Sequence, residues 1–263
     1  MKLLQISNIV STLVVFVLNI LASIGVVNNR TTGQLSDKLP NLFVPSGMTF
    51  SIWGVIYTLL LLFIARQAKG LLSEDAEGAV YVKKIGWFFV LSNVANSMWI
   101  FAWHYELVPL SLIFMVLLLV SLLVICLRLG IGRSEAFMSR REKLFFHVPF
   151  SVYLGWITVA TIANANAVLV WAGVRPYTQT AAIWTVLVIV VATVIGLLML
   201  WTREDITYGL VIVWALVGIV MKRLDTRYFV ELTVAATASI AALIGCIAVI
   251  IALIRGRVAS QHT

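Results

Sequence analysis

The chain has little of what a water-soluble protein needs. Only 11% of its 263 residues are charged, 62% are hydrophobic, and the mean hydropathy is +1.04. A soluble fold of this length must keep a polar exterior, so this balance excludes one. There are two cysteines, Cys126 and Cys246, each inside an apolar run. They read as small buried hydrophobes, not as a disulfide or a metal pair. No carboxylate falls in the middle of an apolar run; Glu106, Asp225 and Glu231 all lie at or near the ends. A proton pump usually holds an ionisable group within the membrane, so a dedicated pump is disfavoured. Lys83, Lys84 and Lys222 are all terminal, which excludes a retinal Schiff base. No metal-ligand spacing is present, and neither a G-x-S-x-G turn nor a phosphate-cradling loop. The net charge of +8 forms no basic stripe with interleaved aromatics, so no nucleic-acid partner is expected.

What the chain does have is long apolar segments. A spanning helix needs about 20 mostly apolar residues. The sequence predicts eight, over residues 6–27, 48–66, 83–103, 107–128, 145–170, 180–201, 207–222 and 230–254. The fold class is therefore all-α, a polytopic helical membrane protein with the lipid bilayer as its first partner. Lys2 and the run toward Gly25 have the look of a signal peptide, but the run from Ile6 to Val27 is long enough to span and favours a retained helix. The seventh segment is short; it tilts little or is partly re-entrant. The longest connection, from Asn28 to Gly47, contains Gly33, Asp37 and Pro40 and reads as a lid or a tether. Ser73 to Gly78 forms an acidic turn, and the connection from Arg128 to Lys143 is strongly basic. The link His104-Tyr105-Glu106 is so short that the third and fourth spans must be antiparallel neighbours. Roughly two-thirds of the 19 Lys and Arg fall on the side of the N-terminus, which places both termini in the cytoplasm. Arg203 against Lys222, Arg223 and Arg227 runs counter to that bias in the last loops.

Two polar-aromatic seams stand out within the spans. Asn93, Asn96, Trp99 and Trp103 step by three or four residues, and so do Tyr153, Trp156, Ala160 and Asn164. Each set falls on one face of its helix. An amide facing lipid leaves its polar atoms unpaired, so these faces should meet protein, water or a ligand. Helix packing through Asn–Asn hydrogen bonds satisfies the same requirement without a ligand. Trp87, Trp171, Trp184 and Trp201 fall near predicted helix ends, where an interfacial belt accounts for them. His104 and His147 are candidate axial haem ligands, but each reads better as a solvated polar group at the membrane interface.

The spacing Tyr153-x-x-Trp156-x-x-x-Ala160-x-x-x-Asn164 resembles the fifth-helix signature PYxxWxxFAxxLN of the TspO family, the tryptophan-rich sensory proteins related to the peripheral benzodiazepine receptor. Val152 stands where that signature has Pro. Asn96-x-x-Trp99 resembles the third-helix pattern LNxxWxxxFF, with Phe101 off its matching offset. Pro45-Ser46-Gly47-x-x-Phe50, followed by Trp53-x-x-x-Tyr57, is similar to the second-helix pattern PPGWxFGxxWxxLY. Here Ser46 replaces a Pro, Met48 replaces a Trp, and one residue is missing between Phe50 and Trp53.

The resemblance covers about residues 1–170. It implies a five-helix core over 1–172, with 173–263 as additional transmembrane helices beyond the basic fold. It also implies a pocket, open toward the first loop, that binds porphyrins or other hydrophobic aromatic molecules. Trp53, Asn96, Trp99, Tyr153, Trp156, Ala160 and Asn164 carry that expectation, together with Tyr57 from the second-helix pattern. Asn93 and Trp103 join them on helical geometry alone. Indole faces suit a flat tetrapyrrole, a small residue at 160 leaves room for a ring, and Arg30 or Lys38 could meet propionates. No cofactor is required; a bound tetrapyrrole is the expected ligand, with a sensory or transport role. An enzyme that degrades the porphyrin ranks lower, because no acid–base pair is evident, and a ligand-free scaffold subunit is the third reading. A bacterial cytoplasmic membrane is the expected location, and a homodimer is left open.

Overall fold

The computed structural model of the chain describes residues 1–72, 76–132, 139–224 and 229–261. Most of the acidic turn, the centre of the basic connection, and Asp225 and Arg227 lie outside the described residues. Helices account for nearly all that is described: α1 (Lys2–Ser23), α2 (Thr32–Lys38), α3 (Ile52–Leu72), α4 (Ala76–Ile85), α5 (Phe88–His104), α6 (Val108–Leu129), α7 (Arg140–Glu142), α8 (Val148–Trp171), α9 (Gln179–Arg203), α10 (Ile206–Leu224) and α11 (Phe229–Gln261). A bilayer offers the backbone no hydrogen-bond partners, so apolar runs of this length close their bonds internally as helices. Among the described residues, seven helical stretches are long and apolar enough to cross a membrane. An eighth crossing forms if the bent pair α4–α5 counts as one.

That pair departs from the single straight span predicted over 83–103. The helix breaks at Gly86, whose φ is +60°, and its two halves differ in direction by 59°. Glycine adopts that left-handed conformation without a Cβ clash, which ends α4. The segment predicted to be short, α10, is instead a continuous 19-residue helix. Other boundaries follow local chemistry. Pro109 and Pro149 sit in the first turns of α6 and α8, where a missing N–H costs nothing. Gly130 closes α6 in the left-handed conformation, and Thr178 caps α9 by accepting from the Ala181 amide.

The connection after α1 is more ordered than a simple tether. A 3-10 turn (Val27–Asn29) leads into α2, which Thr31 and Gln34 start with a reciprocal capping box. A second 3-10 turn (Gly47–Ser51) leads into α3.

Helix α8 is the centre of the bundle, with α3, α6 and α10 packed around it. Lipid-exposed helices gain no hydrophobic drive from pairing, so small residues that allow close approach decide where they touch. A Cβ on Gly155 of α8 would come within 3.0 Å of Val211 on α10. Helices α9 and α11 then pack on α10. One apolar core runs through both parts of the chain, joining Tyr153 and Trp156 to Val211, Ile212 and Ala215. Trp87, Trp171, Trp184 and Trp201 are all exposed, as interfacial residues should be. Cys126 is buried as expected, while Cys246 faces outward on α11; both are free thiols.

Candidate functional site

The two seams meet. Asn96 on α5 donates from Nδ2 to the hydroxyl of Tyr153 on α8 at 2.6 Å and, more weakly, to Tyr57 on α3 at 3.4 Å. One turn further along α5, the Trp99 indole donates to Asn164 Oδ1 at 3.0 Å. Asn164 in turn donates to Ser111 Oγ on α6 at 3.0 Å. These two rungs tie four helices together at residues that are nearly inaccessible to solvent. Their spacing follows directly from the helical repeat of each seam.

Between and beside the rungs lies a cavity of about 50 Å³. Of the ten residues expected at a binding site, Trp53, Trp99, Trp103, Trp156, Ala160 and Asn164 line it. Trp53 organises the aromatic wall. It stacks on Tyr57 at 5.7 Å and presents its edge or face to Tyr153 at 6.1 Å and Trp156 at 6.3 Å. Trp99 and Trp103 stack on each other at 6.0 Å, and Phe50 meets Trp156 edge-on at 5.7 Å. Ala160, Ala163 and Ala167 add a small-residue stripe on α8. The Trp156 indole N–H is buried and, like Asn96 Oδ1, has no hydrogen-bond partner among the described residues.

The remaining expected residues lie elsewhere. Tyr57, Asn96 and Tyr153 form the deep rung behind the cavity. Asn93 turns toward α1, where it donates to Ser11 Oγ at 3.0 Å and Thr12 Oγ1 at 3.1 Å. It belongs to a packing layer between α1, α3 and α5 that also holds the Asn8–Gln67 hydrogen bond. The two histidines are buried, contrary to the solvated interfacial role expected for them. His104 Nδ1 lies 2.8 Å from the Ile100 carbonyl one turn back on its own helix, and neither histidine lines the cavity.

The sequence reading missed residues that come from the first loop and from a second helix face. Thr32 and Ser36 of α2 cover the cavity, and Asn41, Val44 and Pro45 edge it. Trp103 donates to the Thr32 carbonyl at 3.3 Å, so α2 sits directly on the indole pair. The Thr31–Gln34 spacing was the available signal for that helix. Ala163 and Ala167 continue the helical step from Ala160 and were legible in the same way; Met115 carried no signal. A second hollow of about 310 Å³ lies on the far side of α2, between Leu35, Lys38, Glu106 and Trp171, and shares Trp103 with the first. Among the described residues no group of three or more His, Cys, Asp or Glu could hold a metal ion.

A family model described as "TSPO-like protein" matches residues 5–253, running through the five spans of the expected core and on into the three that follow. Comparison with curated proteins and with solved structures yields no match.

Proposed function

The chain belongs to the TSPO-like protein family, and from that premise we propose that it binds a flat, hydrophobic aromatic ligand in the tryptophan-lined cavity, with a tetrapyrrole as the leading candidate, and that this binding serves sensing or transport. The observation carrying this reading is the convergence of four indoles, from α3, α5 and α8, on one cavity that a stripe of alanines also lines. Indole faces offer stacking surface and the alanines leave space for a ring to approach the helix. The unpartnered Trp156 N–H offers a donor to an acceptor on the ligand. Leaving such a group buried and unpaired costs about 1–3 kcal/mol, which a ligand acceptor would recover.

Ligand pockets typically enclose about 300–1,000 Å³, so the 50 Å³ cavity must widen to take a tetrapyrrole. Displacing α2 would join it to the 310 Å³ hollow beyond and bring the space into that range. Titrating protoporphyrin into the purified protein should quench its tryptophan fluorescence. Ala160→Phe, which fills the cavity, should weaken binding at least about tenfold, the equivalent of 1.4 kcal/mol. Asn93→Ala should leave binding intact, because its partners lie on α1. Unchanged affinity in a Trp156→Ala, Asn96→Ala double variant would sink the assigned pocket.

One observation favours a second reading, a membrane scaffold without a small-molecule ligand. The Asn96 and Asn164 amides already bond to protein groups, which is how polar residues act as glue between membrane helices. That reading gains if no apolar ligand raises the thermal unfolding midpoint. The porphyrin-degrading reading finds no acid or base among the residues lining the cavity.

A further inference from the structure

A further cavity, which meets the tryptophan site at Asn41, opens between α8 and α9. It encloses about 170 Å³. Although α8 and α9 are consecutive, they touch little, because α10 packs against both and holds them apart. The walls of the gap are largely apolar, with Val170 on α8 and Ala181 and Trp184 on α9, but Asn41, Asn166, Arg175, Thr180 and Thr185 break them. Arg175, in the connection between the helices, lines the cavity and makes no ion pair among the described residues. Thr180 places the first turn of α9 at the same end, where unpaired backbone amides and the helix dipole favour a negative charge. Deeper in, Asn166 is 95% buried, its relative exposure being 5%. Its Nδ2 donates to the Ile162 carbonyl at 2.8 Å, and the residue lines the cavity.

These features have a polarity. A cation and a helix N-terminus sit at the loop end, with the exposed interfacial Trp184 in the wall, and mostly apolar walls lie toward the membrane interior. Such an arrangement complements an amphiphile with an anionic head and an apolar chain. A neutral apolar molecule would leave the Arg175 guanidinium unused. We propose that the gap between α8 and α9 is a binding site for an anionic membrane phospholipid, with its phosphate at Arg175 and the first turn of α9 and its chain along Val170, Ala181 and Trp184. The site is built largely from the helices beyond the five-span core and gives them a role independent of the tryptophan cavity.

The test uses the purified full-length protein in a neutral detergent, with native mass spectrometry and thermal unfolding as readouts. Phosphatidylglycerol should bind at one tightly held equivalent and raise the unfolding midpoint, and phosphatidylcholine should do so more weakly. Arg175→Gln, at an exposed position that should not disturb folding, should weaken phosphatidylglycerol binding about tenfold, as loss of one charge-assisted contact would. Ala181→Leu, which narrows the gap, should weaken both lipids and leave protoporphyrin quenching unchanged. Equal binding of the two lipids, unaffected by Arg175→Gln, would overturn the proposal. Stabilisation by inorganic phosphate equal to that by phosphatidylglycerol would also overturn it, because the site would then recognise a free anion.

Discussion

The first loop is held down in two ways along its length. Its first half, from Arg30 through α2, is tied to the bundle mainly by surface charge. Glu106, in the α5–α6 link, pairs with Arg30 at 2.7 Å and Lys38 at 2.6 Å, and all three side chains are 41–51% exposed. Lys222 reaches Asp37 at 3.5 Å, again near the surface. Its second half, from Asn41 to Thr49, is clamped from within by α10. Arg223 pairs with Glu231 and donates to the Asn41 carbonyl at 2.9 Å, with both charged side chains no more than 10% exposed. The Ser46 amide donates to Gly218 at 3.0 Å and the Trp214 indole to Thr49 at 3.0 Å. A Cβ on Gly218 would collide with Thr49, so the loop lies directly on the helix backbone.

Exposed ion pairs are worth about 0–1 kcal/mol and weaken with salt, whereas removing one partner of a buried pair costs about 3–5 kcal/mol. The loop is therefore fastened firmly where it edges the cavity and lightly where it covers it. That asymmetry suits a cover that lifts at one end while its hinge stays fixed. The firm end is supplied by helices beyond the five-span core, which makes them part of the architecture of the site.

The contrast can be broken at several points. Arg223→Ala should have the largest effect, lowering stability by about 3–5 kcal/mol because Glu231 loses its buried guanidinium partner. Thermal unfolding would show the loss, and hydrogen exchange should rise through residues 41–49. An Arg223→Met, Glu231→Leu double variant should recover much of that loss, because replacing both charges removes the desolvation cost; no recovery would place the effect in the loop carbonyl contacts instead. Thr31→Ala should cost about 1 kcal/mol through loss of the α2 cap. Its signature is faster exchange confined to α2, with the global midpoint little changed. Glu106→Gln should have the smallest effect on stability, under about 1 kcal/mol. It should, however, remove the salt sensitivity of ligand association. Raising ionic strength should speed association in the wild type, because the Debye length falls to about 3 Å at 1 M, and should leave the variant unchanged. Equal salt sensitivity in both proteins would show that the ion pairs do not hold α2 closed.

Much of the architecture was legible because lipid simplifies the rules. Runs of about 20 apolar residues announce helices, and the seven described helices able to cross, like the bent α4–α5 pair, lie where hydropathy puts them. The seams were legible for a related reason: a polar residue in such a run must face inward, and helical spacing says which residues face inward together. Three features were not. The break at Gly86 depended on the conformation of one glycine, and glycine is common in membrane helices without breaking them. Asn93 and Asn96 share a seam, yet Asn93 serves α1 and Asn96 serves α3 and α8. A helix face broad enough to hold both is split by which neighbours pack on either side. Arg223 looked like one more basic residue at a helix end, and its burial follows only from α11 and the loop closing over it.

By itself the sequence determined that the chain lives in a membrane, which segments are long and apolar enough to cross it, and that two helix faces carry polar and aromatic groups requiring partners. Those properties follow from transfer energies and helical periodicity, which act within a segment. Only the tertiary structure decided which amide meets which partner, that four indoles share one cavity, and that α10 anchors the loop beside it. Such choices depend on the order in which helices pack around α8, and that order is set by contacts between residues far apart in the chain.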